Sequence, residues 1–288
     1  MQSIQPYDLK RIVHMRGVDH PESISVGPDG TAYTTGTGCQ VYRLDLEKNI
    51  GVQIASTAPR RVLGQAVDSN HNLYCADVTG KVIRITPRGQ ETTYATAPRG
   101  KNFMCTNYPV FDRSGYMYLS DSGDWSEQIN GAIYKIAPGG GDAKLWFPEP
   151  VDTPNGMALD AEEKFLYFVE TNGCSMARIA INADGSAGPF ERVVHMPRMV
   201  PDGIAFDEDG RLWIACHRPD AVCVFDLKTR RLEFFAEDWR GEALRGPTDV
   251  AFAGPNRDIL LAASLNNLVV HRFDGIGVRG LRLNHPKL

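Results

Sequence analysis

The sequence predicts an all-β protein, a six-bladed β-propeller with four antiparallel strands per blade, and three observations lead there. One short pattern returns six times, led by Glu22, Leu63, Asn107, Asn155, Asp202 and Thr248, at intervals of 41, 44, 48, 47 and 46 residues. Four positions after each leader stands an apolar or aromatic side chain: Val26, Val67, Phe111, Leu159, Phe206 and Phe252. Each unit is a series of short alternating strands separated by turns rich in Asp and Gly. A period of this length built from such strands marks blades around an axis.

The strands can be read blade by blade. Blade one supplies SISV, AYTTG, QVYRLD and GVQIAS. Blade two follows with the leader strand, LYCAD, KVIRIT and TTYAT, and blade three with MYLSDSG, AIYKIA and AKLWF after its leader strand. Blade four gives MALD, LYFVET, MARIAI and FERVVH; blade five gives DGIAFD, RLWIACH, AVCVFD and RLEFFAE, with EDG as the first turn. Blade six has only DVAFA, DILLAAS and LVVHRFD. Its missing outer strand is expected from RIVHM near the N-terminus, with GLRLN near the C-terminus as the alternative. Pairing of terminal segments would close the ring and leave no open edge. Residues 236–245 hold at most one short helical turn.

The repeats fill residues 1–288 as a single domain. Composition is ordinary for a globular chain, 42% hydrophobic and 23% charged, with 28 Gly and 18 Pro to serve many turns. A net charge of −4 without a basic run argues against nucleic acid and anionic membranes, so the expected partner is a small molecule. The first residues lack the apolar core of a signal peptide or of a membrane span, and a cytoplasmic protein is expected. The six cysteines form no CxxC pair, and most read as small buried thiols rather than disulfide partners.

Each leader begins an innermost strand, so the six should project toward the axis at one end of the ring. In blades one, four, five and six the leader follows Pro, which fixes the entry of the chain. Taken singly, Asn155-Gly156 and Asp202-Gly203 look like turn residues. Taken together, Glu22, Asn107, Asn155 and Asp202 are four oxygen-bearing side chains at one offset of a repeat, with Leu63 and Thr248 marking the other two blades. Two carboxylates and two amide oxygens suit one hard divalent ion, Ca²⁺ foremost, with Zn²⁺, Mn²⁺ or Mg²⁺ as alternatives. The remaining histidines are too scattered for a zinc motif, Gly139 to Asp142 lies between strands rather than opening a helix, and no catalytic triad emerges.

At this point the residues carry a resemblance. Through PESISV, TNYPVFDRSG, TPNGMALD followed by LYFVET, and VPDGIAFDEDGRLWIA, the chain resembles the regucalcin (senescence marker protein), gluconolactonase and luciferin-regenerating enzyme family over essentially its whole length. The resemblance implies that Glu22, Asn155 and Asp202 ligate the metal directly, with Asn107 a fourth ligand or a contact to substrate and water. It also implies a metal-dependent lactonase. Sugar-lactone hydrolases of that family tend to carry Arg two positions before the Asn and Asp directly after it. Here Cys105 and Tyr108 hold those positions, and with Phe103 and Met104 they make this side of the substrate pocket more apolar.

The expected reaction is water attack on a metal-polarised lactone carbonyl, with Asp202 as general base. His217, after the second strand of blade five, is a further candidate acid or base. Asp121 and Trp125, at the corresponding end of blade three, are candidate substrate contacts, and Glu170 a candidate support for the ligands. The alternatives are a propeller hydrolase of another ester or phosphotriester and a noncatalytic Ca²⁺-binding propeller. The sequence leaves the oligomeric state open.

Overall fold

An Asp one position beyond the apolar residue of blades two to five folds the first hairpin of each. Asp68 Oδ1 accepts from the backbone N–H groups of Asn70 and Asn72, Asp112 from Ser114 and Tyr116, and Asp207 from Asp209 and Arg211. Asp160 does the same for Lys164 and Phe165. A carboxylate that satisfies two turn amides sets the chain reversal, and strands of alternating burial follow.

A computed structural model of the chain describes residues 4–288 and contains six sheets. The first three residues, part of the expected domain, lie outside the described residues. Blade one consists of Pro21–Val26, Ala32–Gly36, Gln40–Asp45 and Ile50–Ser56; blade two of Val62–Val67, Leu73–Asp77, Lys81–Ile85 and Glu91–Thr96. Blade three has Thr106–Phe111, Met117–Asp121, Ala132–Ile136 and Lys144–Leu145; blade four Pro154–Leu159, Phe165–Glu170, Ser175–Ile181 and Ala187–His195. Blade five has Val200–Phe206, Arg211–Arg218, Ala221–Asp226 and Arg231–Glu237, and blade six begins with Pro247–Ala253, Ile259–Ser264 and Val270–Phe273. All these neighbours pair antiparallel.

The outer strand of blade six is Val13–Met15, paired with Val270–Phe273 in the register His14↔His271. The N-terminal segment therefore closes the ring and removes an edge that would otherwise invite pairing with another chain. GLRLN takes another course. Leu281 N donates to Phe206 O, Asn284 Nδ2 to Phe111 O, His285 Nδ1 to Val67 O and Ser69 N to Pro286 O. The C-terminal segment is thus a strap tied to the ends of innermost strands, opposite the leaders.

Six apolar clusters hold the ring, one at each boundary between neighbouring blades. Met15 of the closing strand is fully buried in the cluster between blades six and one. Face-to-face packing of sheets is what lets so many short strands bury a common core.

Three local details depart from expectation. The short helical turn, expected if anywhere at 236–245, is a 3₁₀ turn at Leu9–Arg11, while residues 238–246 are turns, bends and irregular chain. The outer strand of blade three is only Lys144–Leu145, because Trp146 N and Phe147 N both turn back to Ile133 O and Trp146 Nε1 reaches Gly185 O. Gly141–Asp142, from the glycine run, pairs parallel with Glu91–Thr96 and gives blade two a fifth strand. All six cysteines are free, but only Cys75, Cys216 and Cys223 are buried. No helix among the described residues is long and apolar enough to cross a membrane.

Candidate functional site

The pairing of the first and second strands slips at the same place in every blade: Pro21/Ile24, Val62/Gln65, Thr106/Pro109, Pro154/Met157, Pro201/Ile204 and Pro247/Asp249. Every leader sits in that irregularity. A break in the ladder releases the local backbone and re-aims side chains, which is how a regular sheet can present a site at its rim.

Hydroxyl groups take up freed carbonyls and stitch neighbouring blades together at four of the six boundaries. Thr248 Oγ1 donates to Glu22 O, Ser23 Oγ and Thr35 Oγ1 to Leu63 O, Ser122 Oγ to Pro154 O, and Thr171 Oγ1 to Pro201 O. The same hydroxyls orient the two amides. Asn107 Nδ2 donates to Ser122 Oγ at 2.9 Å, and Asn155 Nδ2 to Thr171 Oγ1 at 3.3 Å. With the NH₂ groups so engaged, each buried amide has its Oδ1 left as acceptor.

The carboxylates lie within one another's electrostatic field. Burial raises the Asp202 carboxyl well above its ordinary value, and the neighbouring charges of Glu22 and Asp249 raise it further, while a hydrogen bond with the Asn155 side chain opposes them. Burial also raises Glu22, opposed by Arg61, whose Nη2 donates to Glu22 Oε2 at 3.2 Å. Glu22, Asn155 and Asp202 therefore belong to one site. Asn107 joins it through Ser122, which also holds the carbonyl preceding Asn155.

Two acidic groups within each other's field, with two buried amides beside them, offer carboxylate and amide oxygens of the kind that could hold a hard divalent cation. Among the described residues no group of three or more His, Cys, Asp or Glu is arranged to hold a metal. Half of the donor set here is amide oxygen, so the fit rests on this mixed chemistry.

The other expected residues divide. Tyr108 sits beneath the leaders, and its phenol donates to Asp249 Oδ2 at 3.2 Å. Cys105 lies within the field of Glu22 and Arg61 and hydrogen bonds with the Trp125 side chain; burial raises its thiol. Asp121 accepts from Met104 N at 2.8 Å and Cys105 N at 2.7 Å, so it holds the turn that carries Cys105. His217 packs its ring against Gly246, just before the leader strand of blade six. Burial and Arg218 lower its pKa, with Asp220 opposing. Glu170 is taken up by Arg192 at 2.6 Å and Ser175 at 2.6 Å, an ion pair within blade four.

Two residues of the site escaped the sequence reading. Arg61 stands two positions before Leu63, the place in blade two that corresponds to Cys105 in blade three. Asp249, one position after Thr248, is buried and accepts from Ile24 N at 2.8 Å. Burial pushes its carboxyl up to about 8 against the lowering effect of its hydrogen bonds. The signal was in the column one position past each leader: Ser23, Gly64, Tyr108, Gly156, Gly203 and Asp249. Only blades three and six, which face each other across a six-membered ring, carry a bulky residue there. A Cβ on Gly64 would come within 2.8 Å of the Tyr108 ring, and one on Gly203 within 2.0 Å of Asp249 Oδ1. A Cβ on Gly156 would likewise meet Asp202 O at 2.5 Å, so Gly64, Gly156 and Gly203 are required by close approach, not by a turn conformation.

Solved structures share this architecture. Regucalcin from Agrobacterium tumefaciens, a calcium-binding protein, superposes with a TM-score of 0.80 at 19% identity, covering 100% of both chains. A gluconolactonase from Xanthomonas campestris gives 0.77 at 18% identity, covering 94% of this chain and 89% of that one. Among curated proteins, lactonase drp35 of Staphylococcus saprophyticus is 27% identical over 197 residues, 66% of this chain and 60% of the relative. Its namesake in Staphylococcus aureus strain MW2 is 30% identical over 166 residues, 56% of this chain and 47% of the relative. The chain thus spans less than two thirds of the length of these curated relatives. Residues 38–266 match the family described as SMP-30/Gluconolactonase/LRE-like region. With the match extending over most of a six-bladed ring, the chain belongs to the SMP-30/gluconolactonase/LRE-like family.

Proposed function

We propose that this propeller hydrolyses a lactone at the leader end of its axis, with a divalent cation, Ca²⁺ foremost, held by Glu22, Asn155 and Asp202 and with Asn107 alongside. The observation that carries the reading is that the half-buried Glu22 and Asp202 carboxyls stand within each other's field, beside amides whose oxygens are left as acceptors. Relatives named lactonase and gluconolactonase support the same reaction class. When bound, the cation supplies Lewis acidity that favours negative charge on the lactone carbonyl oxygen. Zn²⁺, Mn²⁺ or Mg²⁺ could serve the same donor set with altered affinity.

The chain's own residues divide the remaining work. Asp202 accepts a proton from water as the water oxygen bonds to the carbonyl carbon. The ring C–O bond then breaks, and the proton goes to the departing ring oxygen, leaving a hydroxy acid. His217, with its pKa lowered by burial, is the second candidate for moving that proton. The Tyr108–Asp249 pair forms the floor, Asn107 faces substrate or water, and Asp121 fixes the turn bearing Cys105. Trp125 and Met104 remain exposed at the rim, 45% and 55%, which favours a lactone with an apolar substituent over a polyhydroxylated one.

The test is a panel of lactones, aryl esters and phosphotriesters assayed with metal-analysed protein. Lactone turnover that disappears with chelator and returns with Ca²⁺ is expected. Absence of turnover on every lactone at full metal loading would reject the reading, and preference for aryl esters or phosphotriesters would change the substrate class.

A further inference from the structure

Below the Tyr108–Asp249 floor the axis opens into a cavity of about 290 Å³, lined by all six innermost strands and, at the far end, by the strap from Leu281 to His285. This is at the lower edge of the range of roughly 300–1,000 Å³ found for small-molecule sites. Its wall repeats with the blades, and the repeat is broken twice. Two positions after the leader, five blades carry an apolar residue or Pro, whereas blade two carries Gln65. Three positions after it, five blades carry Ala or Val, whereas blade one carries Ser25.

Both exceptions are buried, Gln65 at 2% and Ser25 at 6% exposure, and both line the cavity from adjacent blades. Gln65 Oε1, Gln65 Nε2 and Ser25 Oγ have no hydrogen-bond partner among the described residues. Burying such groups without partners is unfavourable, and an apolar residue at either position would match the other blades. Of the charged side chains in the lining, Arg113 and Glu163 are engaged near the strap. Arg113 Nη2 donates to Ala161 O, and Glu163 Oε1 accepts from Arg113 N and Asn284 Nδ2.

We infer that the axial cavity is a binding site, separate from the candidate active site above it, for a small neutral carboxamide with a short alkyl body. An amide ligand would give its N–H to Gln65 Oε1 and take hydrogen bonds on its carbonyl from Gln65 Nε2 and Ser25 Oγ, so all three atoms gain partners. Its alkyl chain would lie against the apolar ring formed four positions after the leaders, from Val26 to Phe252. The site carries hydrogen-bonding groups without charge at its inner end, so a neutral ligand is favoured over an ion.

The probe is hexanamide, titrated calorimetrically into the metal-loaded full chain and soaked into its crystals. Saturable binding at one site is expected, with the amide density beside Gln65 and Ser25. Gln65→Leu should weaken binding at least tenfold without lowering the melting temperature of the free protein; should that variant fail to fold, Ser25→Ala serves, with a severalfold loss. Absence of saturation, equal affinity in the substituted and parent proteins, density at the leader end instead, or only ordered water between Gln65 and Ser25 would each overturn the assignment. None of these outcomes depends on lactone turnover.

Discussion

The phenol of Tyr108 in blade three donates to the carboxyl of Asp249 in blade six at 3.2 Å, a hydrogen bond that crosses the axis of the ring. The two residues are 141 positions apart in sequence, and each is accommodated by glycine in a neighbouring blade. The bond separates the leader end from the cavity below. Asp249 also accepts from Ile24 N, so one buried carboxyl ties blades one, three and six together.

Asp249 should give metal-free protein a distinctive pH dependence. Its folded value, about 8, is raised above the ordinary 3.8, so the folded chain holds the proton over that interval. The stability it contributes is full below the unfolded value and is lost as pH rises toward 8. Denaturant unfolding of chelator-treated protein across this range should show Asp249→Asn losing less stability with rising pH than the parent. Parallel curves for the two proteins would refute this.

The ring closure should be sensitive to acid. His271 Nε2 donates to Leu244 O at 2.7 Å, which leaves Nδ1 to accept from His14 Nδ1–H at 3.0 Å on the closing strand. Burial lowers His271 to about 4, so the unfolded chain binds the extra proton between 6.5 and about 4. Stability is therefore complete above 6.5 and falls with pH below it, by on the order of 3 kcal/mol if the shift is fully expressed. Hydrogen exchange in Val13–Met15 should accelerate over this interval. Exchange that is independent of pH after correction for intrinsic rates, or equally acid-sensitive in His271→Gln, would contradict the assignment.

Gly203→Ala should disturb the site and the fold together. Its new Cβ would stand 2.0 Å from Asp249 Oδ1 and 2.6 Å from Asp249 Cα, so backbone as well as side chain must move. A cost of about 1–3 kcal/mol is expected, with weaker cation binding. Unchanged melting temperature and unchanged affinity would show that the approach is looser than described.

Arg61→Met should tighten cation binding on the order of tenfold, or ~1.4 kcal/mol. The guanidinium occupies one oxygen of Glu22 and adds positive charge beside the donor set. Calorimetry of stripped protein measures this directly, and weaker binding in the variant would instead make Arg61 an organiser of Glu22.

The blades were legible in the sequence because each repeats the same alternation, and the apolar position and turn Asp recur in register. The leaders were legible for the same reason. Arg61 and Asp249 were not, because they stand at offsets where the blades share no one residue type and act across blade boundaries. Gly156 and Gly203 resembled turn glycines, since Asn-Gly and Asp-Gly are strong local turn signals. Their actual constraint, the width of the channel, exists only once the ring is closed. The outer strand of blade three was overextended for a similar reason: AKLWF has strand composition, but burial of Trp146 bends it away.

The most direct measurement is an anomalous difference map from crystals grown without chelator and soaked in Mn²⁺. A single strong peak is expected on the axis, bonded to carboxylate oxygens of Glu22 and Asp202 and to Asn155 Oδ1 at about 2.0–2.6 Å, with Asn107 beside it. Glu22 and Asp202 without a peak between them, or a peak bound by other residues, would contradict the proposed metal site.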